Sequence, residues 1–207
     1  MIQIERTSVM NLEGAIRGAR NPMNSWAKSD SYYDENGQFI LGPVDLDFGH
    51  RLAVSGSDHR KFLRQVFVTV DITAPLYWWK EFDTYKVGTV ANSCSTMHKI
   101  HAKAFERDDF SHDRLDEGGL ALLDATVAYL EAERQKFIAN KEDRQSWHNM
   151  IQMLPSSFNQ MRTVTLNYEN LISMYYARRN HKLAEWHTLC DWIAALPYAK
   201  EWILVKD

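Results

Sequence analysis

Five polar or nucleophilic residues follow one another at Asn92-Ser93-Cys94-Ser95-Thr96, inside a fourteen-residue stretch from Thr84 to Met97 that reads as a loop. Loops held by a rigid scaffold are where sites concentrate. Flanked by Lys86, His98 and Lys99, Cys94 has the cations that favour a thiolate, the form that attacks an electrophilic ring carbon. A lone cysteine is equally an ordinary small buried residue, and both readings stand. Arg178-Arg179 closes an amphipathic stretch, where its charge complements a helix dipole. His59 precedes Arg60, Lys61 and Arg64, three cations within five residues, which make a phosphate-facing patch. Read alone, His59 fits a surface or capping histidine as well as a ligand. The spacing His98-x-x-His101 suits two metal ligands, but no third ligand follows at a recognisable distance, so solvated or capping histidines are expected and no metal.

Elements must position these groups. Val66 to Ile72 is an apolar, β-branched run that predicts a buried strand, and Pro75 suits the first turn of the short aromatic helix after it. Upstream, Ile2 and Ile4 alternate as on a strand, Asn11 caps a helix to Arg20, and Asn21-Pro22 ends it. From Asn21 to Pro43 the chain is loop-like, with a turn at Asp34-Glu35-Asn36-Gly37 between Tyr32-Tyr33 and Phe39-Ile40. Asp45 or Asp47 caps a helix through Ala53, which Gly56 stops. Downstream, Met97 to Phe105 reads as helix, and Leu120, Leu123, Val127, Leu130 and Phe137 form the stripe of a packing helix over 120–138. A helix from Asp143 ends at Leu154-Pro155, and Thr163 to Leu166 is a strand. Leu183, Trp186, Leu189, Trp192 and Ile193 make a last core helix before Pro197 and a short tail helix.

With 207 residues, 45% hydrophobic and 25% charged, the chain fits one domain with a real core and lies far from disordered compositions. A net charge of −3 argues against a general nucleic-acid coat. No apolar run approaches a membrane span, and the first residues have neither the basic flank nor the apolar centre of a signal peptide, so a cytosolic, cytoplasmic protein is expected. Cys94 and Cys190 form no C-x-x-C pair, and reduced thiols are the default.

The strand ending in Ala74-Pro75, the aromatic helix and the polar loop together resemble the signature region of the flavin-dependent thymidylate synthases, whose motif is Arg-His-Arg, seven residues, then Ser. Counted without gaps, Thr84-Tyr85-Lys86 stands at the triplet and Cys94 at the serine; shifted by one, Asp83-Thr84-Tyr85 and Ser93 stand there. Both arginines are replaced, with Lys86 keeping one charge. Ala15-Ile16-Arg17-Gly18-Ala19-Arg20 is similar to the small-residue and arginine pattern that opens the family, although a surface helix with solvated arginines explains it equally. His59 matches the family's histidine near the flavin. Pro155, Asn167 and Arg178 match a Leu-Pro, an Asn opening a helix twelve residues on, and an Arg eleven residues later that contacts the base. Expected arginines are Ile151 and Glu169 here, and a second helix asparagine is Ser173.

The resemblance implies an α+β single domain over residues 1–207, with a small antiparallel or mixed sheet flanked by several helices, assembling as a homotetramer. The seven tryptophans and nine tyrosines give more aromatic surface than a small monomer core needs. The resemblance further implies FAD as cofactor, held by His59, Tyr85, Lys86, Asn92, Asn167 and Ser173. A pyrimidine deoxynucleotide would lie against Glu81, Ser93, Ser95, Thr96 and Arg178, with Arg178, Ser93 and Cys94 at the chemistry. Methylenetetrahydrofolate and NADPH would be co-substrates in the conversion of dUMP to dTMP. Ser93, Ser95 and the backbone N–H groups around Cys94 would offset the lost arginines as a phosphate-binding nest. Two other readings stay open: a relative modifying another pyrimidine nucleotide, a cytosine nucleotide or by hydroxymethylation, and a non-catalytic nucleotide-binding scaffold.

Overall fold

The computed structural model describes residues 2–205. Its fold is α+β, a small sheet flanked by helices. Strand β1 (Gln3–Met10) leads to helix α1 (Leu12–Arg20), a hairpin of β2 (Tyr32–Tyr33) and β3 (Phe39–Ile40), and α2 (Pro43–Val54). Next come β4 (Phe67–Pro75), α3 (Leu76–Phe82), β5 (Val90–Ser93), α4 (Thr96–Lys99), α5 (Glu117–Ala139) and α6 (Arg144–Gln152). The chain continues through β6 (Asn159–Asn167), α7 (Tyr168–Arg178), α8 (Ala184–Ala194) and α9 (Ala199–Trp202). The main sheet has the order β1-β4-β6-β5, and β2 pairs antiparallel with β3 around the expected turn. On β4, Val68, Val70, Ile72 and Ala74 are fully buried and alternate with more exposed residues, the period-2 pattern of a pleated strand.

Two compact units divide the chain, with boundaries inside β4 and β6. One comprises Ile72–Thr84 and Asn92–Thr163 with the chain start up to Gln3. Its core gathers Ile100, Phe105, Phe110, Leu123, Leu130 and Met150 between α5, α6 and the segment after α4. Trp78, Trp79 and Phe82 of α3 are buried, and the Trp79 indole donates to the Gln160 carbonyl at 2.9 Å. The predicted helix over 97–105 shrinks to the single turn α4, because Ile100 and Phe105 reach the core from irregular chain. Asp116 caps α5 by accepting from the Gly119 N–H at 2.8 Å, starting that helix at Glu117 rather than Leu120.

The other unit comprises Ile4–Asp71, Tyr85–Ala91 and the chain from Val164 onward. Here the sequence misplaced a cap. Helix α2 starts at Pro43, and Asp30 of the preceding loop accepts from the backbone N–H groups of Val44 and Asp45 at 2.9 and 3.0 Å. Asp45 is instead fully buried, bound to Arg20 Nε at 2.7 Å and to the hydroxyls of Ser29 and Ser31 at 2.5 and 2.6 Å. Asn11 also departs from its expected role: it has φ 67°, makes no side-chain cap, and donates to the Gln65 carbonyl at 2.9 Å. Gly49 of α2 lies against Trp202 of α9, where a Cβ would come within 2.6 Å of the indole nitrogen, so only glycine fits.

Candidate functional site

Asn167 opens α7 through a reciprocal capping box. Its side chain accepts from the Asn170 N–H at 3.0 Å, and the Asn170 side chain accepts from the Asn167 N–H at 3.2 Å. Asn170 Nδ2 then donates to the Val87 carbonyl at 2.8 Å, tying the segment after α3 to the start of α7. Gly88 makes this approach possible: its φ is +74°, and a Cβ would stand 3.0 Å from Asn167 Nδ2 and 3.1 Å from Asn170 Oδ1. The same segment reaches the far end of α7 through Tyr85, whose phenol oxygen accepts from Arg178 Nε at 2.9 Å.

Arg178 therefore sits in an aromatic cradle. Its guanidinium lies 4.5 Å from the ring centre of the buried Trp186 and 5.5 Å from that of Tyr85. Arg179 turns elsewhere, 5.0 Å over Tyr176. The structure thus brings Tyr85 and Arg178 together and adds Trp186, which the sequence marked only as core. Its signal was available as an aromatic eight residues beyond the arginine, but core spacing hid it. Lys86 is exposed between the two anchor points of the segment. Ser173 is exposed on α7 and its hydroxyl donates to the Glu169 carbonyl at 3.3 Å.

The cation patch after His59 differs from expectation. Arg60 is buried and donates to both carboxylate oxygens of Glu169, at 3.0 and 3.1 Å. The three-cation patch is therefore a pair, Lys61 and Arg64. Glu169, standing where the resemblance expects an arginine, is the half-buried partner of Arg60. A cavity of about 770 Å³ is lined by His59, Lys61 and Arg64 with Phe48, Leu52 and Phe62. His59 stands before the 3-10 turn Arg60–Gln65 and makes no side-chain cap to it, which removes the capping reading.

In the other unit, Asn92 and Ser93 lie on β5 rather than in a loop. The Cys94 N–H donates to the Met161 carbonyl at 2.9 Å, and its carbonyl accepts from Gln160 Nε2 at 2.8 Å. That N–H is already spent, so the nest expected around Cys94 lacks its central donor. Ser95 caps α4, accepting from the His98 N–H at 3.1 Å. Cys94, Ser95 and Thr96 line a cavity of about 240 Å³ with Lys99 and Gln160, and the thiol is exposed, which removes the reading of a buried cysteine. Of the cations expected beside it, Lys99 lines this cavity, whereas Lys86 belongs to the other unit. Glu81 lies on α3 in the same unit as Cys94. Among the described residues no group of three His, Cys, Asp or Glu side chains is placed to hold a metal ion, and no helix is long and apolar enough to cross a membrane.

The candidates fall into two sets. His59, Tyr85, Lys86, Asn167, Ser173 and Arg178 belong to one unit; Glu81, Asn92, Ser93, Cys94, Ser95 and Thr96 belong to the other.

No protein-family model and no curated protein matches the sequence. Solved structures do match the fold. A crystal structure of Thymidylate Synthase X (ThyX) from Helicobacter pylori with FAD and dUMP superposes with a TM-score of 0.71 over 100% of both chains, at 16% identity. A second structure, of the flavin-dependent thymidylate synthase ThyX from Helicobacter pylori complexed with FAD and dUMP, gives 0.69 over 97% of both chains, also at 16% identity. The chain has a ThyX-like fold.

Proposed function

We propose that this protein is a flavin-dependent enzyme that transfers a one-carbon unit from methylenetetrahydrofolate to C5 of a pyrimidine deoxynucleotide, converting dUMP to dTMP. The observation that carries the reading is Arg178, fixed between Tyr85 and Trp186 at the end of α7 in a fold whose solved neighbours are complexes with FAD and dUMP. A guanidinium held in this way loses little freedom when it meets a planar ligand, and it stabilises negative charge developing on a pyrimidine carbonyl oxygen. Tyr85 and Trp186 orient it. Residues 1–207 act as one domain, in a cytoplasmic homotetramer, with NADPH as reductant.

The residues present suit FAD. The cavity of about 770 Å³ falls in the range of small-molecule sites, joins an apolar floor to two cations, and includes His59. Lys61 and Arg64 would hold phosphate, Phe48 and Phe62 would bear on ring atoms, and the Asn167 cap fixes the start of α7. Bound flavin supplies hydride, the chemistry no side chain here offers. Cys94 is not required as nucleophile in this reading; with Ser95 and Thr96 it shapes a pocket for substrate.

A second reading is favoured by one observation. Glu169 and Arg60 neutralise each other where the resemblance expects an arginine at position 169, so the ligand surface is less positive. A relative acting on another pyrimidine nucleotide fits that change.

The test is flavin uptake. Incubation with excess FAD followed by gel filtration should leave absorbance between roughly 350 and 470 nm with the protein, as expected of the cofactor, and dUMP should perturb that spectrum. No retained flavin would remove both enzyme readings and leave a nucleotide-binding scaffold. Flavin retained but perturbed only by a cytosine nucleotide would select the second reading.

A further inference from the structure

The chain between α1 and α2 gathers aromatic rings without burying them. Trp26 is 49% exposed and Tyr32 and Tyr33 are each 57% exposed, yet all three line one cavity of about 220 Å³ together with Phe39. Tyr33 and Phe39 oppose each other across the β2–β3 hairpin, with ring centres 5.5 Å apart and planes at 66°. The rings are held in place. The Trp26 indole donates to Asn21 Oδ1 at 2.8 Å, and the Tyr33 phenol donates to Glu13 Oε2 at 2.6 Å. Ser29 and Ser31, which also line the cavity, are bound to the buried Asp45. A connection this long in a compact domain commonly serves a function, and a group of rings fixed open to water marks a place for a ligand.

Helix α1 supplies the charges. Glu13, Ile16, Arg17 and Arg20 recur at helical spacing and line this cavity, whereas Gly18 and Ala19, on another face of the helix, line the one proposed for FAD. Arg20 is spent on Asp45, its Nε donating at 2.7 Å. What remains is one carboxylate and one guanidinium, Glu13 and Arg17, in a solvated pair 3.5 Å apart. We propose that this cavity binds a small zwitterion carrying a methylated ammonium and a carboxylate, the class of the betaines. Aromatic faces are negative and attract a cation, and the edge-to-face corner of Tyr33 and Phe39 wraps a rounded ammonium, whereas a flat ring would need parallel walls. The ligand lies antiparallel to the Glu13–Arg17 pair: its ammonium meets the Glu13 carboxylate among the rings, and its carboxylate meets Arg17. Charges one methylene apart match the short span of that pair. A plain cation would be repelled by Arg17, and a plain anion would meet the negative ring faces and Glu13.

The site does not depend on the flavin reading, and different ligands test the two. Isothermal titration calorimetry of the full chain with glycine betaine should show saturable binding. The anion of tert-butylacetic acid, in which carbon replaces the ammonium nitrogen, keeps the shape and the carboxylate but loses the cation, so it should bind about tenfold more weakly. Choline, which keeps the cation and lacks the carboxylate, should also bind more weakly. Trp26→Ala should abolish binding with the thermal melt monitored by circular dichroism unchanged, and Trp26→Phe should keep part of the affinity. Arg17→Gln should weaken glycine betaine while leaving choline no weaker. Excess FAD should not compete. Equal affinity for glycine betaine and its carbon isostere, no heat from glycine betaine at millimolar concentration, an unaltered affinity in a folded Trp26→Ala, or competition by FAD would overturn the proposal. Should Trp26→Ala fail to fold, the isostere pair decides alone.

Discussion

Asp45→Ala should strip the joint between α1 and α2 of its central acceptor. In the parent, the buried carboxylate receives Arg20 Nε at 2.7 Å, Ser29 Oγ at 2.5 Å and Ser31 Oγ at 2.6 Å. Burial pushes its pKa up, but the two hydroxyls and the guanidinium outweigh that and hold it below the ordinary carboxylate value. Its contribution is thus present above that value and fades as pH falls through the lowered one. With the carboxylate gone, an Arg20 side chain only 4% exposed is left as an uncompensated buried charge, which costs about 3–5 kcal/mol. Two orphaned hydroxyls add to that loss. Measured against a domain stability of about 5–15 kcal/mol, little margin remains. Urea unfolding followed by tryptophan fluorescence should show a large fall in midpoint with the slope unchanged. Arg20→Ala should cost a similar amount, and the double variant clearly less than the sum, because the second truncation removes the group that the first one stranded. Arg17→Ala should do little, since that guanidinium is solvated and its ion pair with Glu13 is long, at 3.5 Å. Strictly additive losses for Arg20 and Asp45 would refute this account.

Arg178→Ala should weaken dUMP binding in calorimetry by about 2 kcal/mol or more, Arg179→Ala should have little effect, and Tyr85→Phe should fall between, keeping the ring but losing the bond to Arg178. Equal losses for the two arginines would show that α7 presents the wrong residue. Glu131 is held down from the usual 4.5 to about 2, first by its bonds from Arg134, then by those from Gln135 and the Phe105 N–H, against the upward push of burial. Because the folded value is the lower one, its stabilisation is present above pH 4.5 and drains away toward pH 2. Glu131→Gln should therefore flatten the acid limb of a melting-temperature profile. An acid limb as steep as the parent's would count against it.

Local pattern revealed the strand carrying Val68, Val70 and Ile72, the hairpin at Asp34-Gly37 and the core stripe of α5, since each follows from side-chain patterning and turn chemistry, whereas the helix start at Asn167 came from the resemblance. What stayed hidden is set by partners distant in sequence. Asp45 looked like a cap because the acidic residue that does the capping, Asp30, is contributed by a loop fifteen residues earlier. Strand β5 has no alternation of its own, and the Cys94 N–H just beyond it is claimed by Met161. Arg60 read as one of three cations until Glu169, remote in the chain, took it out of the patch. The resemblance set Arg178 eleven residues beyond Asn167 but gave no hint that Tyr85 and Trp186 would enclose it.

The two thiols differ in a way that makes the molecule its own reporter. Burial pushes the Cys190 thiol up to about 11, so at pH 8 roughly one part in a thousand is thiolate and alkylation there is slow. Cys94 is open to reagents and lines the cavity shared with Ser95 and Thr96. A maleimide dye added to the unaltered chain should therefore label Cys94 ahead of Cys190 and mark the cavity that Cys94 lines.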